Sequence, residues 1–315
     1  MLNILMIETG RVSENSTVAH IRNSIEITKI LNSSESINCT LTDLSDDFST
    51  DEQYNLIIFN YAGMGCDFSR VEPFLDAQDN CRVGWVTNEF ELFANDFVKK
   101  RMDFMITNFE PHGVKKAHKY KDYLMTNLNT LIFHGVNPYI DKKYEICYYG
   151  TYRKYRESYF KKYFNGDFIL STTKKNFKKF MDLDIDCNIT DKLHVKPREE
   201  TLNLFKATLY IEDTKTHECF NHMANRFYEA LQCNTALFFD RSCMNTIGRD
   251  NYIIDEYFIV DSSDELINKV NNLDIDKLIE HTHTNSEIAL MDKETTSKEI
   301  VDFIKSLSLR NEPNG

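Results

Sequence analysis

Glycine and proline are scarce in this chain, ten and five among 315 residues, and tryptophan occurs once. No stretch is rich enough in them to read as a low-complexity linker, and no internal repeat is visible. Apolar residues never run to the roughly 18 that a membrane span requires, which argues against a membrane partner. The opening residues, Met1-Leu2-Asn3-Ile4-Leu5-Met6, pass straight into a strand-like run with no basic segment before it. Nothing there reads as a secretion signal, and a cytoplasmic location is expected.

Cysteine pairing motifs are missing too. Eight cysteines are scattered along the chain and none is spaced Cys-x-x-Cys, so neither a zinc ribbon nor a thioredoxin motif is signalled. They read as small core residues. His217-Glu218-Cys219-Phe220-Asn221-His222 is one residue too long for two histidines to stack one turn apart on a helix. Asp184-Ile185-Asp186 and Asp274-Ile275-Asp276 look like metal-binding Asp-x-Asp pairs but lie away from any strand end. No resident metal site is therefore expected. Gly63-x-Gly65 lacks the third glycine of a dinucleotide fingerprint, which argues against a nicotinamide role.

Positive charge is short overall, since the net charge is −12, but it is unevenly placed. Residues 97–180 hold 18 Lys and Arg against seven Asp and Glu, a surplus of about 11, which leaves about −23 elsewhere. Two readings fit: a solvated basic face, or a basic cleft for phosphates in an acidic shell.

The apolar pattern alternates short strand-like runs with helical ones. Strands are expected at Ile4–Ile7, Leu56–Phe59, Val83–Thr87, Phe104–Thr107 and Leu131–Phe133, with a helix over Val18–Leu31. A second series has strands at Tyr144–Tyr149, Phe168–Leu170, Ala207–Ile211, Ala236–Phe239 and Tyr257–Val260. Its helices are expected at Tyr155–Phe164, Thr201–Phe205, Asn221–Gln232 and Ser263–Leu273, the last opening on a Ser-x-x-Glu cap. The fold class that follows is α/β, with two Rossmann-like, doubly wound domains facing a cleft. Residues 1–142 make the N-terminal domain, 143–296 the C-terminal one, and 297–315 a helix and tail packing back on the first. Ligands in such sheets lie beyond the carboxyl ends of the strands, so the loops after Ile7, Phe59, Thr87, Phe133, Tyr149, Leu170 and Ile211 should line a site.

Two constellations carry chemistry. Tyr148 to Ser158 reads as a strand, one glycine (Gly150), then a helix start bearing Arg153 and Arg156. A helix N-terminus and two guanidinium forks suit a diphosphate, and glycine lets the backbone approach it. The same residues also fit a surface helix with solvated arginines. In Asn225-Arg226-Phe227-Tyr228-Glu229, Arg226 and Glu229 share one helix face. They read either as an ion pair, or as an arginine for phosphate and a carboxylate for vicinal hydroxyls.

Taken together, the stretch from Tyr144 to about Leu273 resembles the DNA β-glucosyltransferase family of T-even-like phages, which glucosylates 5-hydroxymethylcytosine. The resemblance runs through Gly150-Thr151-Tyr152-Arg153, Arg156-Glu157-Ser158, Arg226 to Glu229, Ala236-Leu237-Phe238-Phe239-Asp240 and Asp264 to Asn271. It covers the C-terminal 130 or so residues well and the first half loosely. It implies the GT-B fold, a UDP-sugar donor and an inverting transfer, with Mg or Mn optional. Arg153, Arg156 and Arg226 would hold the diphosphate, Glu229 the ribose, and Gly150 would give close approach. Ser171-Thr172 and Leu193 to Val195 would flank the uracil. The partner would be double-stranded DNA carrying hydroxymethylated cytosine, flipped out of the stack, met by a monomer in the cytoplasm of an infected host. The run with Lys99, Lys100, Arg101, Lys115, Lys116 and Lys119 would track phosphates.

The catalytic base departs from the family. An aspartate is kept there just after the strand that corresponds to Val83–Thr87, and this chain has Asn88. A carboxamide cannot take the acceptor's proton, so Glu89 is the expected base, with Glu91 next and Glu8 a lesser candidate. His134 is read as a structural histidine or a sugar contact. Two rival functions follow: a GT-B transferase with a non-DNA acceptor, and an inactive module that binds a nucleotide-sugar or nucleic acid. The sugar, glucose or a pentose such as arabinose, is not legible.

Overall fold

A computed structural model describes the chain outside residues 14–15, 17, 61–64, 89–95, 110–121, 167, 192–197, 213–221, 248–249 and 310–315, and without the side chains of residues 98, 198–199 and 245–246. The chain divides into two compact units, Met1–Ile132 with Asp292–Gly315, and Phe133–Met291.

The first unit holds a six-stranded, all-parallel sheet. Its strands are β1 (Leu2–Glu8), β2 (Ile37–Asp43), β3 (Leu56–Asn60), β4 (Arg82–Thr87), β5 (Phe104–Thr107) and β6 (Asp122–Met125). They lie in the order β2-β1-β3-β4-β5-β6. Alternate residues of a strand face opposite ways, and the two faces build separate cores. Ile4, Met6, Ile58, Phe104 and Ile106 pack with Ile27 and Leu31 of α1 (Ala19–Asn32). Leu5, Ile7, Ile57, Phe59, Trp85 and Met105 pack with Phe74 and Leu75 of α2 (Glu72–Asp76). Both faces are covered, which is what parallel sheets require. A further helix, α3, spans Asp96–Arg101.

The second unit repeats the plan with β7 (Tyr144–Tyr149), β8 (Ile169–Ser171), β9 (Asn188–Thr190), β10 (Phe205–Tyr210), β11 (Ala236–Asp240) and β12 (Ile259–Val260). The order is β12-β11-β10-β7-β8-β9, every pair parallel. The chain therefore winds one way from β7 through β8 to β9, and the other way from β10 through β11 to β12. The change of direction falls between β7 and β10, the switch point at which such sheets open a ligand crevice. Its helices are α4 (Glu157–Tyr163), α5 (Lys174–Met181), α6 (Arg198–Thr201), α7 (Asn225–Gln232), α8 (Met244–Ile247) and α9 (Ser263–Asn271). Ser262 caps α9, its hydroxyl accepting from the Glu265 amide at 3.2 Å.

Several expectations need correcting. Leu131–Phe133 is not a strand: Leu128–Ile132 forms a fully buried 3-10 turn. The strand at that edge is β6, whose half-polar sequence hid it. Strand β2 is also an edge strand, with Ile37, Cys39 and Leu41 alternating with polar residues. Thr201–Phe205 is divided among the end of α6, a 3-10 turn at Leu202–Leu204 and the start of β10. The closing helix α10 is far longer than expected, Ile275–Leu309, because no glycine or proline interrupts those 35 residues. Its Ile300, Ile304 and Leu307 pack into the core of the first unit.

Candidate functional site

The second unit gathers buried charge at its switch point. Strand β7 ends at Tyr149 and the chain turns through Gly150 into a 3-10 turn at Lys154–Arg156, which runs on into α4. Strand β10 ends at Tyr210, and Glu212 lies two residues beyond it. Helix α7 is buried at every position from Arg226 to Gln232.

Arg226 ties the two central strands together. One terminal nitrogen donates to the Leu209 carbonyl on β10 at 3.1 Å, and the other to the Tyr149 carbonyl on β7 at 3.3 Å. The second nitrogen also donates to the Tyr148 phenol oxygen at 3.4 Å, and the guanidinium carbon lies 4.5 Å from the centre of that ring. Arg156 approaches from α4's side. It donates to the same phenol oxygen at 3.3 Å and pairs with Glu212. Two guanidinium groups thus meet at one phenol oxygen, with one carboxylate opposite. Burial works to raise the Tyr148 phenol, but Arg226 and Arg156 outweigh it and hold the group below the usual tyrosine range. Burial works to lower Arg226, yet Tyr148 and Glu212 outweigh it and raise this guanidinium above its ordinary value. Burying two cations this way is costly unless something anionic meets them, and such clusters concentrate at working sites.

Glu229, one helical turn after Arg226, accepts from the Tyr149 hydroxyl at 2.7 Å. Gly150 donates its amide to the Ser171 carbonyl at 3.1 Å. A Cβ at Gly150 would stand 3.5 Å from both the Arg226 nitrogen and the Tyr148 oxygen, so any longer side chain would crowd the cationic pair. Ser171 and Thr172 are fully buried at the end of β8, and the Thr172 hydroxyl has no hydrogen-bond partner.

Of the residues singled out in the sequence, Gly150, Arg156, Arg226 and Glu229 gather around Tyr148 and Tyr149, with Ser171 behind the glycine. Arg153 is exposed on the turn, its carbonyl accepting from the Arg156 amide at 2.9 Å. Asn88 is half-buried just past β4. Glu89, Glu91, Lys115, Lys116, Lys119, Leu193–Val195, Gly63 and His217 lie outside the described residues. Glu8 is fully buried at the end of β1. His134 is exposed beside Gly135, which has a positive φ of 105°. Asp184 and Asp186 are exposed on the turn after α5, and Asp274 caps α10 through the Lys277 amide. Among the described residues, no three His, Cys, Asp or Glu side chains are grouped to hold a metal ion, and no helix is long and apolar enough to cross a membrane.

Sequence reasoning missed Glu212 and the parts played by Tyr148 and Tyr149. The signal for Glu212 was its place directly beyond a strand at the switch point. The two tyrosines read as core residues because they sit within a strand.

No family model matches the chain, and neither does any curated protein. Solved structures do. The β-glucosyltransferase of T4 phage bound to UDP-glucose superposes with a TM-score of 0.70 at 14% identity, covering 96% of this chain and 99% of that one. The same enzyme with UDP and Mn2+ gives 0.69 at 16% identity and the same coverage. An α-glucosyltransferase bound to UDP gives 0.67 at 10% identity, covering 97% and 100%. An α-glucosyltransferase bound to UDP and a 13-mer DNA containing a hydroxymethyluracil base gives 0.59 at 11% identity, covering 96% and 99%. The fold of the chain is that of these two-sheet GT-B glycosyltransferases.

Proposed function

We propose that the chain is a glycosyltransferase that moves a sugar from a UDP-sugar to the hydroxymethyl group of 5-hydroxymethylcytosine in DNA. The observation that carries this reading is the meeting of Arg156 and Arg226 at the Tyr148 oxygen, at the switch point of the second sheet. The fold supports it, since the solved relatives described above carry UDP or UDP-glucose, and one carries DNA with a modified base.

In this reading the diphosphate enters at Gly150 and takes the two guanidinium forks, displacing Glu212 from Arg156. Fork-to-phosphate bonds of this kind are charge-assisted and geometrically specific. Glu229 takes the ribose hydroxyls, exchanging its bond from Tyr149. As the bond between the sugar's anomeric carbon and the β-phosphate oxygen breaks, negative charge grows on the departing UDP beside two fixed cations. Donors held in place beforehand, in a site shielded from water, stabilise such charge most. A divalent ion would add Lewis acidity at the diphosphate. Arg153, on the exposed turn, would meet the donor from outside. The base Glu89 or Glu91 and the basic run at 110–121 belong to this proposal as sequence-level assignments.

One observation favours a second reading. Asn88 follows β4 where the resembled family keeps an aspartate, which suits a module that binds a nucleotide-sugar without turnover. Incubating the protein with UDP-hexoses and UDP-pentoses, and with duplex DNA with or without hydroxymethylated cytosine, separates the two. Sugar appearing on modified DNA alone is the expected result. UDP-sugar binding with no transfer to any acceptor establishes the inactive module instead.

A further inference from the structure

The first unit has a switch point of its own. Its sheet reverses direction between β1 and β3, and a polar cluster is built at the carboxyl ends of those two strands. Glu8, the last residue of β1, has no exposure to solvent. One carboxylate oxygen accepts from the Gly10 amide at 3.0 Å and meets His20 Nδ1 at 2.8 Å. The other accepts from Ser24 Oγ at 2.5 Å and from Asn60 Nδ2 at 2.9 Å. Asn60 ends β3 and also donates to the His20 carbonyl at 2.6 Å. Both oxygens of a buried carboxylate are thereby held from β3 and from α1, so its direction is fixed.

His20 stands in the first turn of α1, and its side chain retains 19% exposure. A carboxylate at Nδ1 keeps the proton there, which leaves the basic lone pair on Nε2 and supports the imidazolium once a proton arrives. This is the arrangement of a positioned general base. A purely structural cluster at the end of β1 would be satisfied by Ser24, Asn60 and the Gly10 amide without an imidazole. The residue at the end of β4, Asn88, supplies no base.

Resting on the transferase reading above, we propose that His20, oriented by Glu8, is the general base of the transfer. Nε2 takes the proton of the acceptor hydroxyl as its oxygen bonds to the anomeric carbon. The bond from that carbon to the β-phosphate oxygen breaks and its electron pair leaves with UDP. The imidazolium is balanced by the Glu8 carboxylate until the proton passes to solvent. His20 is the catalytic residue here, and Glu8 is a positioning residue.

The test uses the full chain, hydroxymethylated duplex DNA and whichever UDP-sugar the wild type transfers. His20→Ala is expected to lower kcat by about 10²- to 10⁴-fold, the span usual for general-base catalysis, with the dissociation constant for UDP unchanged. Added imidazole should restore part of the rate to His20→Ala and none to Glu8→Gln. Glu8→Gln should lower kcat while leaving KM for the UDP-sugar in place. Should His20→Ala fail to fold, His20→Gln, which can still donate to Glu8, carries the same comparison. A His20 variant within threefold of wild type, or loss of transfer in Glu89→Gln alone, overturns this assignment and leaves the transferase standing. A wild-type protein that binds UDP yet modifies no acceptor overturns both.

Discussion

Arg226 is the residue on which most depends, because it is fixed by carbonyls of two strands before any ligand arrives. A guanidinium held in this way loses little freedom on meeting a phosphate. Removing it also leaves two buried carbonyls short of a donor. Arg226→Ala should therefore weaken UDP binding by about 2–5 kcal/mol, the range for truncating one partner of a buried charged contact. Isothermal titration of UDP against the variant checks it. Arg226→Lys keeps the charge but not the fork, and is expected to fall between the two. A lysine that binds UDP like the wild type would show that charge alone matters. Sequence spacing did suggest that Arg226 and Glu229 work together. It could not show that they part company, one reaching into the strands and the other to Tyr149, because that depends on how α7 is sunk between them.

At the scale of elements, Gly84 on β4 shows how tightly the first sheet is packed. It is paired with Phe104 on β5, whose buried ring lies over it. A Cβ at Gly84 would stand 2.1 Å from that ring, and Phe303 and Arg82 leave the ring nowhere to go. Gly84→Ala should cost about 1–3 kcal/mol, the usual penalty of overpacking, read from urea unfolding. An unchanged midpoint would mean the ring shifts freely.

Helix α10 offers a pH-dependent case. Burial pushes the His281 imidazole down to about 4, against a smaller upward pull from Asp255. The ring packs 4.5 Å from Phe258 and near the Asn285 amide. The unfolded chain takes up this proton first as pH falls. The contribution is thus whole above about pH 6.5 and lost on the way down to pH 4, a change of up to ~3 kcal/mol. Thermal melts of His281→Leu over that window should show a shallower acid slope than the wild type. Equal slopes would place the acid sensitivity elsewhere.

For the whole molecule, the uneven charge makes a prediction about salt. The stretch 97–180 carries the positive surplus while the rest of the chain is strongly acidic. Long-range repulsion between the acidic remainder and DNA is screened by salt, and so are the phosphate contacts of the basic stretch. If the basic stretch holds the DNA, affinity should still fall linearly in log–log form as salt rises, by roughly 0.9 per phosphate contact. Binding to unmodified duplex measured between low and physiological salt checks this. An affinity that rises with salt would mean the acidic surface dominates and the acceptor is something other than DNA.

Much of this architecture was legible in the order of residues. Short β-branched runs at regular intervals, with no glycine- or proline-rich break, dictate two parallel sheets covered on both faces, since such strands must bury both sides. Gly150 followed by Arg156, and Arg226 one turn before Glu229, mark a phosphate site because those residue types at those spacings serve few other ends. What the order of residues could not fix is which side chains share a position in space. Tyr148 lies 78 residues from Arg226, Glu212 is 56 from Arg156, and Asn60 is 52 from Glu8. Only the winding of strands about each switch point brings them within hydrogen-bonding distance. Burial then makes those contacts strong, because water no longer competes for them.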